Sequence, residues 1–396
     1  MTAPSKQSLT SLLILGTLFF IFGFVTWVNG TLIIYLKIAC QLSDAQSYLV
    51  ASAFYLSYFF TALPSSWILK KTGLKKGMMF GLFVMSVGAL IFIPAASMRI
   101  YWIFLVGLFV IGTGLSILQT AVNPYVTIVG PIESAAKRIS IMGICNKLAG
   151  ILASFVMGAI VLSDSDTLIK EISLLDEIQK NIRLDELAAR VILPYSLMAI
   201  VLAGLGFMVR YSALPEIDGE ESGETSSSAK GDTGSVFQHP HLMLGVIALF
   251  LYVGVEVMAA ETIGIYGQSQ GISLSESKNF TSYTLFAMFI GYLIGIAAIP
   301  KLLSQPKALT ISAITGVVFS ILAIFTSGYT SVLCIALLGL ANALMWPTIW
   351  PLAIEGLGKH TSTGSALLIM AIIGGGILSV SYTHLRAHET KANLVC

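Results

Sequence analysis

Runs of roughly 20 apolar residues recur along the whole chain, separated by short polar intervals, and a run of that length crosses a bilayer as a helix. Eleven such runs are read at about 11–36, 45–69, 76–97, 101–129, 139–162, 191–213, 242–265, 280–303, 308–327, 331–354 and 363–382. Inside hydrocarbon the backbone has no water to bond, so a spanning segment must satisfy its own N–H and C=O groups, which a helix does. Charged residues are only 11% of the 396, against about 25% in an ordinary soluble domain. The reading is an all-α membrane protein.

Against that background, ionisable residues deep inside a span stand out: Lys147, Glu256 and Glu261. A charge in hydrocarbon is expensive and is kept for binding a solute or moving an ion. The pattern points to a transporter with a polar path through its middle. A membrane-embedded enzyme would want a His, Asp or Ser cluster; no His lies deep in a span and no nucleophile–base pair is visible. Cys40, Cys145, Cys334 and Cys396 show no metal or disulfide spacing. No metal or organic cofactor is expected, only a proton, or alternatively sodium, as coupling ion.

Lys and Arg set the orientation. Lys6, Lys70, Lys71, Lys75, Lys76, Lys137 and Arg138 begin the richer side, which places the N-terminus in the cytoplasm. The first span is too long for a cleavable signal and lacks a small-residue cleavage site. The outward loop 163–190 is acid-rich and patterned as a short surface amphipathic helix. The net charge of +2 says little about partners. Those expected are a small solute and the bilayer, with no nucleic acid, for a chain acting as a monomer.

Residues 214–239 are dominated by Gly, Ser and acids and read as a flexible cytoplasmic linker. They separate an N-terminal six-helix bundle, 1–213, from a C-terminal bundle, 240–378. Six plus six spans about such a linker is the arrangement of the major facilitator superfamily, with substrate near the midplane between pseudo-symmetric halves. The 66–77 loop keeps that superfamily's Gly and basic cluster at Gly73, but has Ser66 and Lys70 in place of its first Gly and its Asp. Spans four and ten both carry prolines near their ends, at Pro124 and at Pro347 and Pro351. Residues 379–396 read as a non-native tail resembling adapter read-through. The C-terminal bundle is therefore expected to be truncated, with a twelfth span to follow.

Candidate binding residues fall in the middle of the spans. Gln119 and Asn123, four apart, share a helix face, and amides both donate to and accept from sugar hydroxyls. Asn146 and Lys147 lie roughly 12–14 Å along span five from Arg138. Trp27 and Asn29 in span one, Tyr55 and Tyr58 in span two, and Trp346 and Trp350 in span ten offer aromatic faces to the apolar face of a sugar ring. Trp27, Asn29, Gln119, Asn123, Asn146 and Trp346 are the expected substrate contacts. Glu256, Glu261 and Lys147 are the expected coupling group. Glu256 is the deepest carboxyl, and burial disfavours the charged form of such a group, the property a proton carrier needs. Lys147 could instead hold either acid in a static pair joining the halves. Five residues apart on an α-helix, Glu256 and Glu261 differ in direction by about 140° and are expected on different walls.

The strings SAFYLSYFF (52–60), AVNPYVTIVGPIESAAKRIS (121–140), ICNKLAG (144–150), FLYVGVEV (250–257) and MWPTIWPLAIEGLGKHTSTGSALLIMAIIGG (345–375) resemble the bacterial fucose:proton symporter family, and within it the glucose/galactose and N-acetylglucosamine permease branch. The resemblance implies a secondary active hexose or N-acetylhexosamine transporter of the inner membrane, working by alternating access. It also exposes departures. The family's Asp in span one, Glu in span four and Gln in span five correspond here to Gly30, Gln119 and Gly143. Proton coupling must then be rebuilt from Glu256, Glu261 and Lys147, or replaced by sodium coupling or uniport. A sugar sensor that keeps the fold without transport is the reading of another class.

Overall fold

The computed structural model describes residues 6–128, 131–161, 171, 174–212, 214–216, 236–272, 276, 280–378 and 381. The described part is helical bundle throughout, without strands. The N-terminal half comprises α1 (Lys6–Ala39), α2 (Asp44–Thr72), α3 (Leu74–Met98), α4 (Tyr101–Ile128), α5 (Ala135–Val161), the short α6 (Glu177–Ala189) and α7 (Ile192–Tyr211). The C-terminal half comprises α8 (Pro240–Val257), a π turn (Met258–Thr262), α9 (Ile263–Ser269), α10 (Phe280–Ala298), α11 (Gln305–Phe325), α12 (Gly328–Asn342), α13 (Met345–Ile354) and α14 (Thr361–Met370, helical again from 373 to 378). Residues 217–235 of the expected linker and nearly all of the expected tail lie outside the described residues.

Among the described residues, ten stretches are long and apolar enough to cross a membrane. The eleventh expected span, α2, has the length at 29 residues but not the apolarity. Its hydroxyls are hidden rather than exposed. Ser57 donates to the Phe54 carbonyl at 2.6 Å, and Ser66 bonds Ser362 of α14 at 3.1 Å. The second contact crosses between the halves, at the position where the superfamily's loop begins with Gly.

Proline chemistry divides span ten. Pro347 has no N–H and its ring crowds the carbonyl of residue i−4, which is Ala343. The chain breaks between α12 and α13 at Ala343 and Leu344. The next carbonyl, of Leu344, accepts both the Thr348 backbone N–H at 3.1 Å and Thr348 Oγ1 at 2.6 Å. At the end of α4 the orphan carbonyls are capped by Arg138. Its guanidinium donates to Val126 O at 2.9 Å and Thr127 O at 2.7 Å, fixing the start of α5 against α4. The loop-derived α6 is amphipathic as expected, and buried Tyr35 of α1 donates to the Ala188 carbonyl at its end, at 2.8 Å.

Candidate functional site

Between the halves lies a cavity of about 140 Å³. At ~10–15 Å³ per water this holds on the order of ten waters.

The cavity's N-terminal wall depends on how closely α1 and α5 approach. A Cβ on Gly23 would stand 2.0 Å from the Asn146 carbonyl oxygen, and one on Gly150 would stand 2.5 Å from the Trp27 ring. Only glycine permits that crossing. It brings Trp27 Nε1 to 3.4 Å from Asn146 Oδ1, and Asn146 Nδ2 to 3.5 Å from the Phe19 carbonyl. On α4, Asn123 donates to the Gln119 carbonyl at 2.9 Å, and Gln119 Nε2 donates to the Tyr58 hydroxyl at 3.0 Å. Asn123 is buried, yet its Oδ1 has no protein donor. A buried acceptor left this way marks a place where a ligand hydroxyl would be welcome.

The charged part joins the halves. Lys147 Nζ of α5 lies 2.6 Å from Glu256 Oε1 of α8, with side-chain exposures of 5% and 13%. The same ammonium stands 4.4 Å from the centroid of the Trp27 ring, a cation–π distance. Tyr252, one turn earlier on α8, lines the cavity beside Glu256.

Glu261 requires a correction. The α-helical spacing puts it on another wall from Glu256, whereas both line this cavity. The reason is the π turn at Met258–Thr262. A turn that closes i→i+5 returns a residue five positions on toward the same face, and such turns are frequent at functional sites.

Of the nine residues expected as substrate contacts or coupling group, eight line the cavity: Trp27, Gln119, Asn123, Asn146, Lys147, Glu256, Glu261 and Trp346, as do Tyr55 and Tyr58. The ninth, Asn29, is in α1, and its side chain lies outside the described residues. Trp350 does not reach the cavity. It is fully buried behind Trp346, whose ring it stacks at 5.5 Å. The sequence reading missed Tyr252 and Tyr292. Tyr252 carries a signal in hindsight, standing four residues before Glu256. Tyr292 has none, because its contact is with Gly143 on a distant helix: a Cβ there would stand 2.6 Å from the ring.

Membrane-length helices packed around a cavity that holds several polar side chains, with an ion pair bridging two halves, define a polytopic membrane transport protein. The chain belongs to the Major Facilitator Superfamily, whose pattern matches residues 15–380. A protein of Brucella abortus named a glucose/galactose transporter is 34% identical over 380 residues, 95% of this chain and 88% of the relative. The L-fucose-proton symporter of Escherichia coli is 28% identical, over 95% of this chain and 86% of the relative. The crystal structure of FucP in the outward conformation superposes with a TM-score of 0.82 at 27% identity, covering 96% of this chain and 92% of that one. The family and these relatives are transporters, not enzymes.

Proposed function

We propose that this protein is a secondary active transporter of a hexose or N-acetylhexosamine, coupled to protons, acting as a monomer in a bacterial inner membrane with its N-terminus in the cytoplasm. The observation that carries this reading is the cavity itself. It presents amides from α1's partner α5 and from α4, aromatic faces from Trp27 and Trp346, and a cavity-facing acid, in a chain related to a glucose/galactose transporter. In this reading Asn29, Gln119, Asn123 and Asn146 hold hydroxyls, Trp27 and Trp346 stack on the ring, and Glu256, Glu261 and Lys147 form the coupling group. One observation favours protons over sodium. Sodium wants several oxygen ligands, but the Ala259 and Ala260 carbonyls beside Glu261 already accept threonine hydroxyls at 3.0 and 2.8 Å.

The test is counterflow of a hexose panel in proteoliposomes, followed by uptake under an imposed proton or sodium gradient. Saturable counterflow with proton-driven accumulation is the expected result. Accumulation under sodium alone would establish the sodium alternative, and uptake without accumulation the uniporter. Binding without any counterflow would establish the sensor.

Gln119→Ala is expected to weaken sugar binding by about 1–3 kcal/mol, because a ligand hydroxyl and the Tyr58 hydroxyl both lose a partner. That is roughly a five- to 150-fold rise in Kd by titration. An unchanged Kd would return Gln119 to helix packing.

A further inference from the structure

We propose that Glu261 carries the coupling proton, and that Thr281 and Thr284 of α10 are the positioning residues that present it to the cavity. This rests on the proton-symport reading above and assigns separate roles within its coupling group.

The two acids sit in different surroundings. Glu256 faces Lys147 of α5 at 2.6 Å and has Tyr252 beside it. Glu261 lines the same cavity, and among the described residues no cation or hydrogen-bond donor meets its carboxylate. Among the described residues, the titratable side chains that line the cavity with it are Tyr55 and Tyr58 of α2, Tyr252 and Glu256 of its own span, Tyr292 of α10, and Lys147, already bound to Glu256. Of the two acids lining the cavity, Glu261 is half-buried and has no counter-charge bound to it, which leaves it the one free to take up and release a proton. It takes a proton from water when the cavity faces one side and returns it to water when the cavity faces the other; no other bond is made or broken.

Its position depends on the π turn. A π turn interrupts the α-type ladder, and the carbonyls it displaces need donors. Ala259 and Ala260 are both buried. Their carbonyls are met from the neighbouring helix, by Thr284 Oγ1 at 3.0 Å and Thr281 Oγ1 at 2.8 Å. Two hydroxyls three residues apart on α10 thus match two consecutive carbonyls of the turn. Without them the segment is free to relax toward α-helical winding, which would leave Glu261 about 140° from Glu256 around the helix axis.

The experiment compares Thr281→Val/Thr284→Val, which keeps side-chain volume and removes both hydroxyls, with Thr281→Ser/Thr284→Ser and with Glu261→Gln. Each is reconstituted full length and assayed for proton-driven accumulation, counterflow, the pH profile of uptake, and sugar-induced proton entrance with a trapped pH dye. The Val pair and Glu261→Gln are expected to lose about tenfold or more in accumulation and to lose the dye signal, while counterflow falls by less than about threefold. The Ser pair should restore accumulation and the pH profile. Wild-type accumulation and proton uptake in Glu261→Gln would overturn the assignment of the carrier. Equal losses in accumulation and counterflow for the Val pair, unrescued by Ser, would reduce the threonines to a structural role and overturn theirs. Failure of the parent reading looks different: the wild-type protein itself would show no counterflow of any sugar, or counterflow without proton-driven accumulation.

Discussion

Lys147→Met is expected to destabilise the protein by about 3–5 kcal/mol, the usual cost of removing one partner from a buried ion pair. The loss comes less from the missing attraction than from what remains. Glu256, 13% exposed at its side chain, would keep its place beside Tyr252 with no cation within reach. The cation–π contact with Trp27 at 4.4 Å goes as well, worth about 0.5–2 kcal/mol. Because a folded domain has only about 5–15 kcal/mol in hand, the single variant should lose yield and monodispersity in detergent. Lys147→Met/Glu256→Gln removes both charges and keeps both shapes, so it should recover most of the loss. Replacing a whole buried pair by neutral groups is often close to neutral. Together with Glu256→Gln and the parent protein they form a double-mutant cycle whose coupling is read from thermal unfolding in detergent. Independent losses that simply add would show that the 2.6 Å contact has no energetic meaning and that the halves are joined elsewhere.

That pair also shows how far residues alone could go. A Lys in span five and a Glu in span seven have few reasons to be in hydrocarbon except each other, so their meeting was open to inference from burial cost. The same holds for the break before Pro347, since the missing N–H acts on a carbonyl four residues back whatever the tertiary structure. The π turn was not legible in this way. Its five residues, Met258–Thr262, carry no signature of i→i+5 winding, and the hydroxyls that satisfy it come from a helix about 20 residues later. An α-helical angle was therefore the natural assumption, and it placed Glu261 on the wrong wall. Trp350 failed for the opposite reason: its residue type suited a sugar platform, but four residues along a short helix carried it behind Trp346 into the core. Local chemistry identified candidates, while long-range packing decided which of them face the cavity.

The second large effect tests that packing with the smallest possible change, a single methyl group. Gly23→Ala puts a Cβ 2.0 Å from the Asn146 carbonyl oxygen, with the Asn146 Cα 2.7 Å away. Both obstacles are backbone, so no rotamer relieves them and α1 must separate from α5. Overpacking of this kind costs about 1–3 kcal/mol and sometimes more, and the contact here is far inside any tolerated distance. The damage should extend to the site. Separation lengthens the Trp27–Asn146 hydrogen bond, already 3.4 Å, and lifts Trp27 off Lys147. Sugar affinity should therefore fall together with thermal stability. Gly204→Ala in α7 is the control, because nothing lies within 4 Å of its Cβ. There the methyl group meets open surroundings, and the helix gains roughly 0.5–1 kcal/mol from losing a glycine. One substitution type thus carries opposite signs at two positions, set only by what stands beside each Cβ. If both variants melt with the parent protein, α1 and α5 do not cross at Gly23, and the wall that Trp27 and Asn146 form must be built another way.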